Sequence, residues 1–436
     1  MANDFNATQL KYVFKNMDDA VCAIRMTGEV FYANPAAQKL FGLSVRKKTR
    51  LWEAIPLIEQ NDELIQMFIN SIMKKEKSFH SVVDYVNGEG KLFHLHVSLT
   101  CSADAGMFLL VVNDLTSVRR LHSAFERYTS PEIAEYVLET PEGEKQGGRD
   151  KKVTILMSDL RGFTAMSGRL SSADLITMLN HYFECMSAVI NAYSGTIIEF
   201  LGDGIFVVFG APKDEPDHPA HAVSCAIGMQ NAMEEVNAWN REHGWPELEM
   251  GIGIHTGVCA VGNIGSDKRM KYGCMGETVN LAGRLEAGSV GGQILVSAAT
   301  CALVKEDLVL SEQQTVMPKG ARESFAFYEV SGIGDLHLNR PETSAWQDLA
   351  GEPAITFYAL DGKTVTDRQL SGRLVRITGD ERYALLATDE NLTSLLNLML
   401  RVGEEDVYAK VVSGEDGLYL ICFTSKPENL LDLLLK

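Results

Sequence analysis

The chain has 436 residues, 46% apolar and 22% charged, which is too long for one ordinary domain and rich enough to build more than one core. Its formal charge of -18 argues against nucleic acid and anionic membrane surfaces as partners, since both would repel it. A nucleoside triphosphate stays open as a ligand, provided metal ions and local cations neutralise it.

The eight cysteines are scattered without a CxxC pair, a pattern of buried reduced thiols rather than disulfides or a zinc site. The N-terminus lacks the basic start and apolar core of a signal peptide, and no apolar run approaches the ~18 residues of a membrane span. A cytoplasmic chain is expected.

Residues 10–113 read as a first α+β domain: the strand-like runs AVCAIRM and GEVFYAN, the helical PAAQKLFG, an amphipathic segment, then FHSVVDYV, GKLFHLHVSLTC and GMFLLVVND. The stretch NMDDAVCAIRMTGEVFYANPAAQKLFG resembles the opening of a PAS domain, a module that senses small molecules or dimerises. No ligand can be named for it. His80, His94 and His96 are candidate haem ligands, but the last two alternate along a strand, and an ordinary strand role explains them as well. Residues 114–151 read as a coupling segment: a helix, a break at Ser130-Pro131, a short second helix and a polar linker. Pro131 suits a first helical position after a Ser130 cap. Leu115, Val118, Leu121 and Phe125 form one stripe, suited either to pairing with a second copy or to packing on its own domain.

From 152 to 332 strands and helices alternate: VTILMSDL, a long helix from SADLITML, the hairpin GTIIEFLGDGIFVVFG, a second long helix from HPAHAV, the two strands LEMGIGIHTG and CAVGNIG, the helix ETVNLAGRLEAGS, QILVS and FAFYEV. Asp159 ends an apolar strand and Asp203 sits at the hairpin tip. If those strands are neighbours, the carboxylates converge, and paired carboxylates with open positions suit Mg²⁺ or Mn²⁺ with triphosphate oxygens. A turn or capping role explains either aspartate alone. Residues 354–436 read as a small strand-rich domain without a motif.

SDLRGFT, EFLGDGIFVVFG, IGIHTG and KYGCMGETVNLAGRLE, in this order within 153–330, closely resemble the catalytic domain of the class III adenylyl and guanylyl cyclases. The resemblance implies a ferredoxin-like α+β fold, a head-to-tail homodimer with two composite sites, and two divalent ions (Mg²⁺ or Mn²⁺) per site. It matches Asp159, Asp203 and Leu160 to the metal site, with the Leu160 backbone also among the groups near the phosphates. Arg161, Gly162, Phe163 and Thr164 would cradle phosphates at a helix start. Asn280 would orient the ribose and Arg284 would stabilise charge at the α-phosphate. Lys268 or Arg269, and Lys319, match phosphate-binding basic positions.

Base choice rests on Glu199 and Gly273. Adenylyl members typically carry lysine at the first position and aspartate or threonine at the second; guanylyl members usually carry glutamate and cysteine. A carboxylate accepts from N1–H and the 2-amino group of guanine, whereas adenine N1 would set lone pair against lone pair, at a cost of several kcal/mol if buried, on the order of an unsatisfied polar group. Gly273 supplies no second reader. GTP is therefore the expected substrate, with ATP the alternative. A nucleotide-sensing homologue without activity would be expected to lack Asp159, Asp203, Asn280 or Arg284, and all four are present. A histidine-based metal hydrolase would rest on His218-x-x-His221 alone.

Overall fold

Two units divide the chain, Met1–Tyr128 and Thr129–Lys436, in a computed structural model that describes all residues except 1–6, 44–48, 75–77, 169, 317–323, 340–343, 362–363, 404, 428–429 and 435–436.

In the first unit, alternating sequences make a five-stranded antiparallel sheet in the order 30–33, 20–25, 107–114, 92–102, 78–86. Its inward residues, among them Tyr85, Leu95, Leu99, Phe108 and Leu110, close on Leu64, Phe68 and Ile72 of helix Asp62–Lys74. Asn34 starts helix Pro35–Phe41: its Oδ1 accepts from Ala37 N at 2.9 Å and from Val21 N at 3.0 Å. One side chain thus caps a helix and ties it to the sheet. His94 lies 2.5 Å from Asp84, and His80 stacks on His96. Helix Thr116–Tyr128 leaves Val118 and Leu121 of its apolar stripe exposed.

The second unit opens with helix Pro131–Glu139, capped by Ser130 Oγ on Ile133 N at 3.4 Å. Next come β1 (Gly147–Leu160), α1 (Phe163–Ser167), α2 (Ser172–Ala192), β2 (Thr196–Leu201), β3 (Gly204–Phe209), α3 (His218–Glu242) and β4 (Met250–Ser266). The strand order β4-β1-β3-β2, antiparallel throughout, with α2 and α3 as the crossovers, is the ferredoxin-like βαββαβ plan. The sheet continues through β5 (Arg269–Met275) on β4, then β6 (Ile294–Ser297) parallel to β4 and β7 (Phe325–Ile333) antiparallel to β6. Met178, Tyr182, Met186 and Ile190 of α2 and the apolar side of α3 bury one sheet face. Helix 131–139 and Ala282 of α4 (Glu277–Gly288) cover the other.

Two expectations are corrected. Gly147–Lys151, read as linker, belong to β1, whose exposed polar end pairs with Asn263–Cys259 of β4. The solvated start of a long strand carries no apolar pattern, so composition alone reads it as loop. LEMGIGIHTG and CAVGNIG are not two strands but one 17-residue strand, β4. Gly257 is no turn: it pairs with Val153, and a Cβ there would lie 2.6 Å from Thr278 Oγ1. The glycine serves close packing.

The C-terminal sheet starts before 354, at Trp346–Asp348. Six of its strands, 354–361, 364–378, 383–387, 397–402, 405–415 and 418–425, pair in a ring closed by 364–378 on 383–387. This antiparallel barrel removes the exposed edges of an open sheet around Phe357, Leu374, Leu398, Leu400 and Ile421.

Candidate active site

Register brings the two aspartates together. Ser158 of β1 pairs with Ile205 of β3, so Asp159 falls opposite Gly204, beside Asp203. A Cβ on Gly204 would stand 2.8 Å from Ser158 O and 3.2 Å from Asp159 Oδ1, so only glycine lets the strands approach here. Gly202, at φ 72°, supplies the backbone of the two-residue turn. Burial first, then the charges of Asp203 and Glu286, push Asp159 up to about 6, against the opposing pull of Arg161. A carboxylate crowded in this way by neighbouring acids is one that a divalent cation would relieve. The hard oxygen donors fit Mg²⁺ or Mn²⁺ rather than a softer metal.

Arg161 departs from the expected phosphate role. Its N–H donates to Glu249 O at 2.7 Å, and its guanidinium turns inward to Glu286 Oε1, Glu286 O at 2.9 Å and Ser289 Oγ at 3.2 Å. Its Nη1 lies 3.8 Å from Asp159 Oδ2. Arg161 lies in the turn just past β1, and its contacts tie that turn to the end of α4, so it braces the site. Gly162 is the left-handed N-cap of the short helix α1, which begins at Phe163 and contains Thr164; the side chain of Thr164, and Lys319 as a whole, lie outside the described residues.

Glu199 owes its position to a bulge. Ile197 pairs with Val207 and Glu199 with Phe206, leaving Ile198 as the extra residue. Such a bulge re-aims the side chains beyond it, and Glu199, Phe200 and Leu201 are all exposed. Glu199 forms an ion pair with Lys271 of β5, a partner the sequence alone did not reveal although Lys271 opens the KYGCMGETVNLAGRLE motif. Gly273 is buried two residues on. Lys268 occupies the turn between β4 and β5, and Arg269 begins β5, both exposed.

Asn280 and Arg284 are exposed on α4, which lies tightly across β4: a Cβ on Gly253 would come within 2.1 Å of Glu286 N. The elements bearing Glu199, Asn280 and the basic turn also expose Phe200, Leu201, Val258, Met270 and Met275. His218 and His221 face different partners, Thr154 at 2.7 Å and Glu215, and among the described residues no group of three or more His, Cys, Asp or Glu is placed to hold a metal ion. His255 of IGIHTG is bonded to Ser297 Oγ at 2.8 Å and held down to about 4 by burial, so it is a neutral packing residue. Among the described residues, no helix is long and apolar enough to cross a membrane.

Residues 146–332 match the family model of the adenylate and guanylate cyclase catalytic domain, and residues 8–73 match a PAS domain. Adenylate cyclase 1 of Rhizobium meliloti (strain 1021) is 36% identical over 192 residues, 43% of this chain and 29% of that protein. An adenylate cyclase of Anabaena cylindrica is 29% identical over 230 residues, 49% of this chain and 44% of that one. The matched part therefore spans less than half the length of these curated relatives. Among solved structures, the guanylyl cyclase Cya2 is 45% identical (44% of this chain, 100% of that chain, TM-score 0.43). The adenylyl cyclase CyaB from P. aeruginosa is 36% identical (44% and 99%, TM-score 0.42).

Proposed function

Because the chain belongs, through residues 146–332, to the class III nucleotide cyclases, we propose that it converts GTP to 3',5'-cyclic GMP and pyrophosphate as a homodimer with two composite sites. The observation that carries this reading is the Asp159–Asp203 pair brought together by strand register, with Glu199 displayed on the next strand.

Asp159, Asp203 and the Leu160 carbonyl would hold two ions, Mg²⁺ or Mn²⁺. When bound, they supply positive charge for the ribose 3'-oxygen and for the β- and γ-phosphates. The 3'-hydroxyl gives up its proton to solvent water as its oxygen attacks the α-phosphorus, the bond to the bridging α–β oxygen breaks, and pyrophosphate leaves with that bond's electrons. The partner's copy of α4 brings Asn280 to the ribose and Arg284 to the α-phosphate, where negative charge grows. Lys268 or Arg269, the backbone of Gly162, Phe163 and Thr164, and Lys319 bind the leaving phosphates. Glu199 accepts from guanine N1–H and the 2-amino group, and Gly273 leaves room at the base. The exposed apolar residues around these groups support the dimer. The PAS domain is the sensing or dimerising module; its ligand is unassigned, and the barrel is a third domain.

The second reading is ATP cyclisation. It draws support from Lys271, an ammonium beside Glu199 able to donate to adenine N1, and from relatives named adenylate cyclases. The dimeric site is tested by mixing Asp159→Ala with Arg284→Ala protein. Each alone should be inactive, and mixed dimers should regain one intact site. Verified mixed dimers without activity would refute shared sites.

A further inference from the structure

The C-terminal barrel packs against the catalytic domain at and just beyond the end of α4. Lys410, on the barrel strand 405–415, is 5% exposed. Its Nζ donates to Ala287 O at 2.6 Å and to Ser289 O at 3.1 Å. The last carbonyls of a helix have no acceptor role inside it and carry its negative end, so a buried ammonium is a cap matched in both hydrogen bonding and charge. Leu395 of the barrel seats beneath Gly288, where a Cβ would come within 2.6 Å of its Cδ1. Arg382 donates to Gly291 O at 2.5 Å and pairs with Glu249 at 3.2 Å. Glu249 is the residue whose carbonyl accepts from Arg161 N.

A buried lysine is costly to desolvate, and this one lies near Arg161 and Glu286, the pair that joins the metal-binding strand to α4. A barrel serving only as an appended module has no need of such a contact. We propose that Lys410 is a positioning residue for cyclisation: from the barrel it fixes the C-terminal end of α4, and through that helix it sets where Asn280 and Arg284 enter the partner's site. The inference rests on the composite-site reading above. It gives the barrel a role in catalysis, and makes any ligand or partner that shifts the barrel an effector of turnover.

The test uses the full chain in mixed dimers. Asp159→Ala and Arg284→Ala subunits together form one working site, in which α4 comes from the Asp159→Ala subunit. Lys410→Met placed in that subunit should lower kcat about 10- to 100-fold, the cost of a misplacement near 1 Å, with KM for GTP moved less than about twofold. Lys410→Met placed in the Arg284→Ala subunit, whose α4 is idle, should leave the regained activity as it was. Lys410→Gln, which keeps one donor, should show the same asymmetry in weaker form and decides the matter if the methionine variant does not fold. Equal losses in both placements, or no loss in either, would overturn the inference. Failure of the parent pair to regain activity would instead overturn the composite site.

Discussion

Replacing Glu199 with lysine should reverse the hydrogen-bonding character of the base pocket while leaving the fold intact. Glu199 and Lys271 are about half exposed, at 45% and 49%, and such a pair contributes no more than about 1 kcal/mol to stability. Two neighbouring ammonium groups would cost a similar amount, so a shift of only a few degrees in melting temperature is expected. The effect on substrate is larger. Guanine offers two protons to the carboxylate, and hydrogen bonds to a charged group are worth about 1.5–3 kcal/mol each. Losing even the smaller figure once lowers kcat/KM for GTP about tenfold, and losing the pair lowers it by about 100-fold or more. The assay is kcat/KM for GTP and for ATP, wild type against Glu199→Lys, under one metal. Glu199→Gln, which still accepts once, should fall between them. A wild type that prefers ATP, or a lysine variant within twofold of wild type on GTP, would refute the assignment of Glu199.

Asp203→Ala should reduce cyclic nucleotide formation to about 1% or less, because on the proposed reading its carboxylate would hold the ions that supply charge for both the attacking and the leaving oxygens; near-normal turnover by a folded variant would remove it from the metal site. Gly253→Ala should cost about 1–3 kcal/mol in denaturant melts and lower kcat, since its Cβ would meet the backbone of α4 at Glu286 N, 2.1 Å, and Ala282 O, 2.6 Å. Burial first, then Arg161, lower Lys410 from 10.5 to about 8, opposed by Glu286 and Cys422. Between pH 8 and 10.5 the unfolded chain therefore holds a proton that the folded one lacks. Stability of wild type relative to Lys410→Met should rise with pH across that window, by at most about 1.4 kcal/mol per unit. A flat or falling difference in urea melts would show that Lys410 is not desolvated.

Elements with strong local patterns were legible in the sequence. The Ser130-Pro131 helix start, the Gly202-Asp203 turn and α4 all come from residues adjacent in the chain. The Asp159–Asp203 pair was legible as a possibility; its closeness depends on strand order, a non-local property that Gly204 permits. β4 was misread because its glycines look like turns, although several serve close packing against α4 and β1. The inward turn of Arg161 was out of reach, since Glu286 and Ser289 lie 125 and 128 residues away. Lys410 lay in a segment without any motif, and only the packed structure shows what it holds.

The central claim meets its most direct test in the purified full chain given GTP and ATP in parallel, each with Mg²⁺ and with Mn²⁺, with products separated and quantified. The expected result is 3',5'-cyclic GMP and pyrophosphate in equal amounts, strict dependence on the metal, and a higher kcat/KM for GTP than for ATP. Higher kcat/KM for ATP would contradict the guanylyl assignment, and nucleotide turnover without any cyclic product would contradict cyclisation itself.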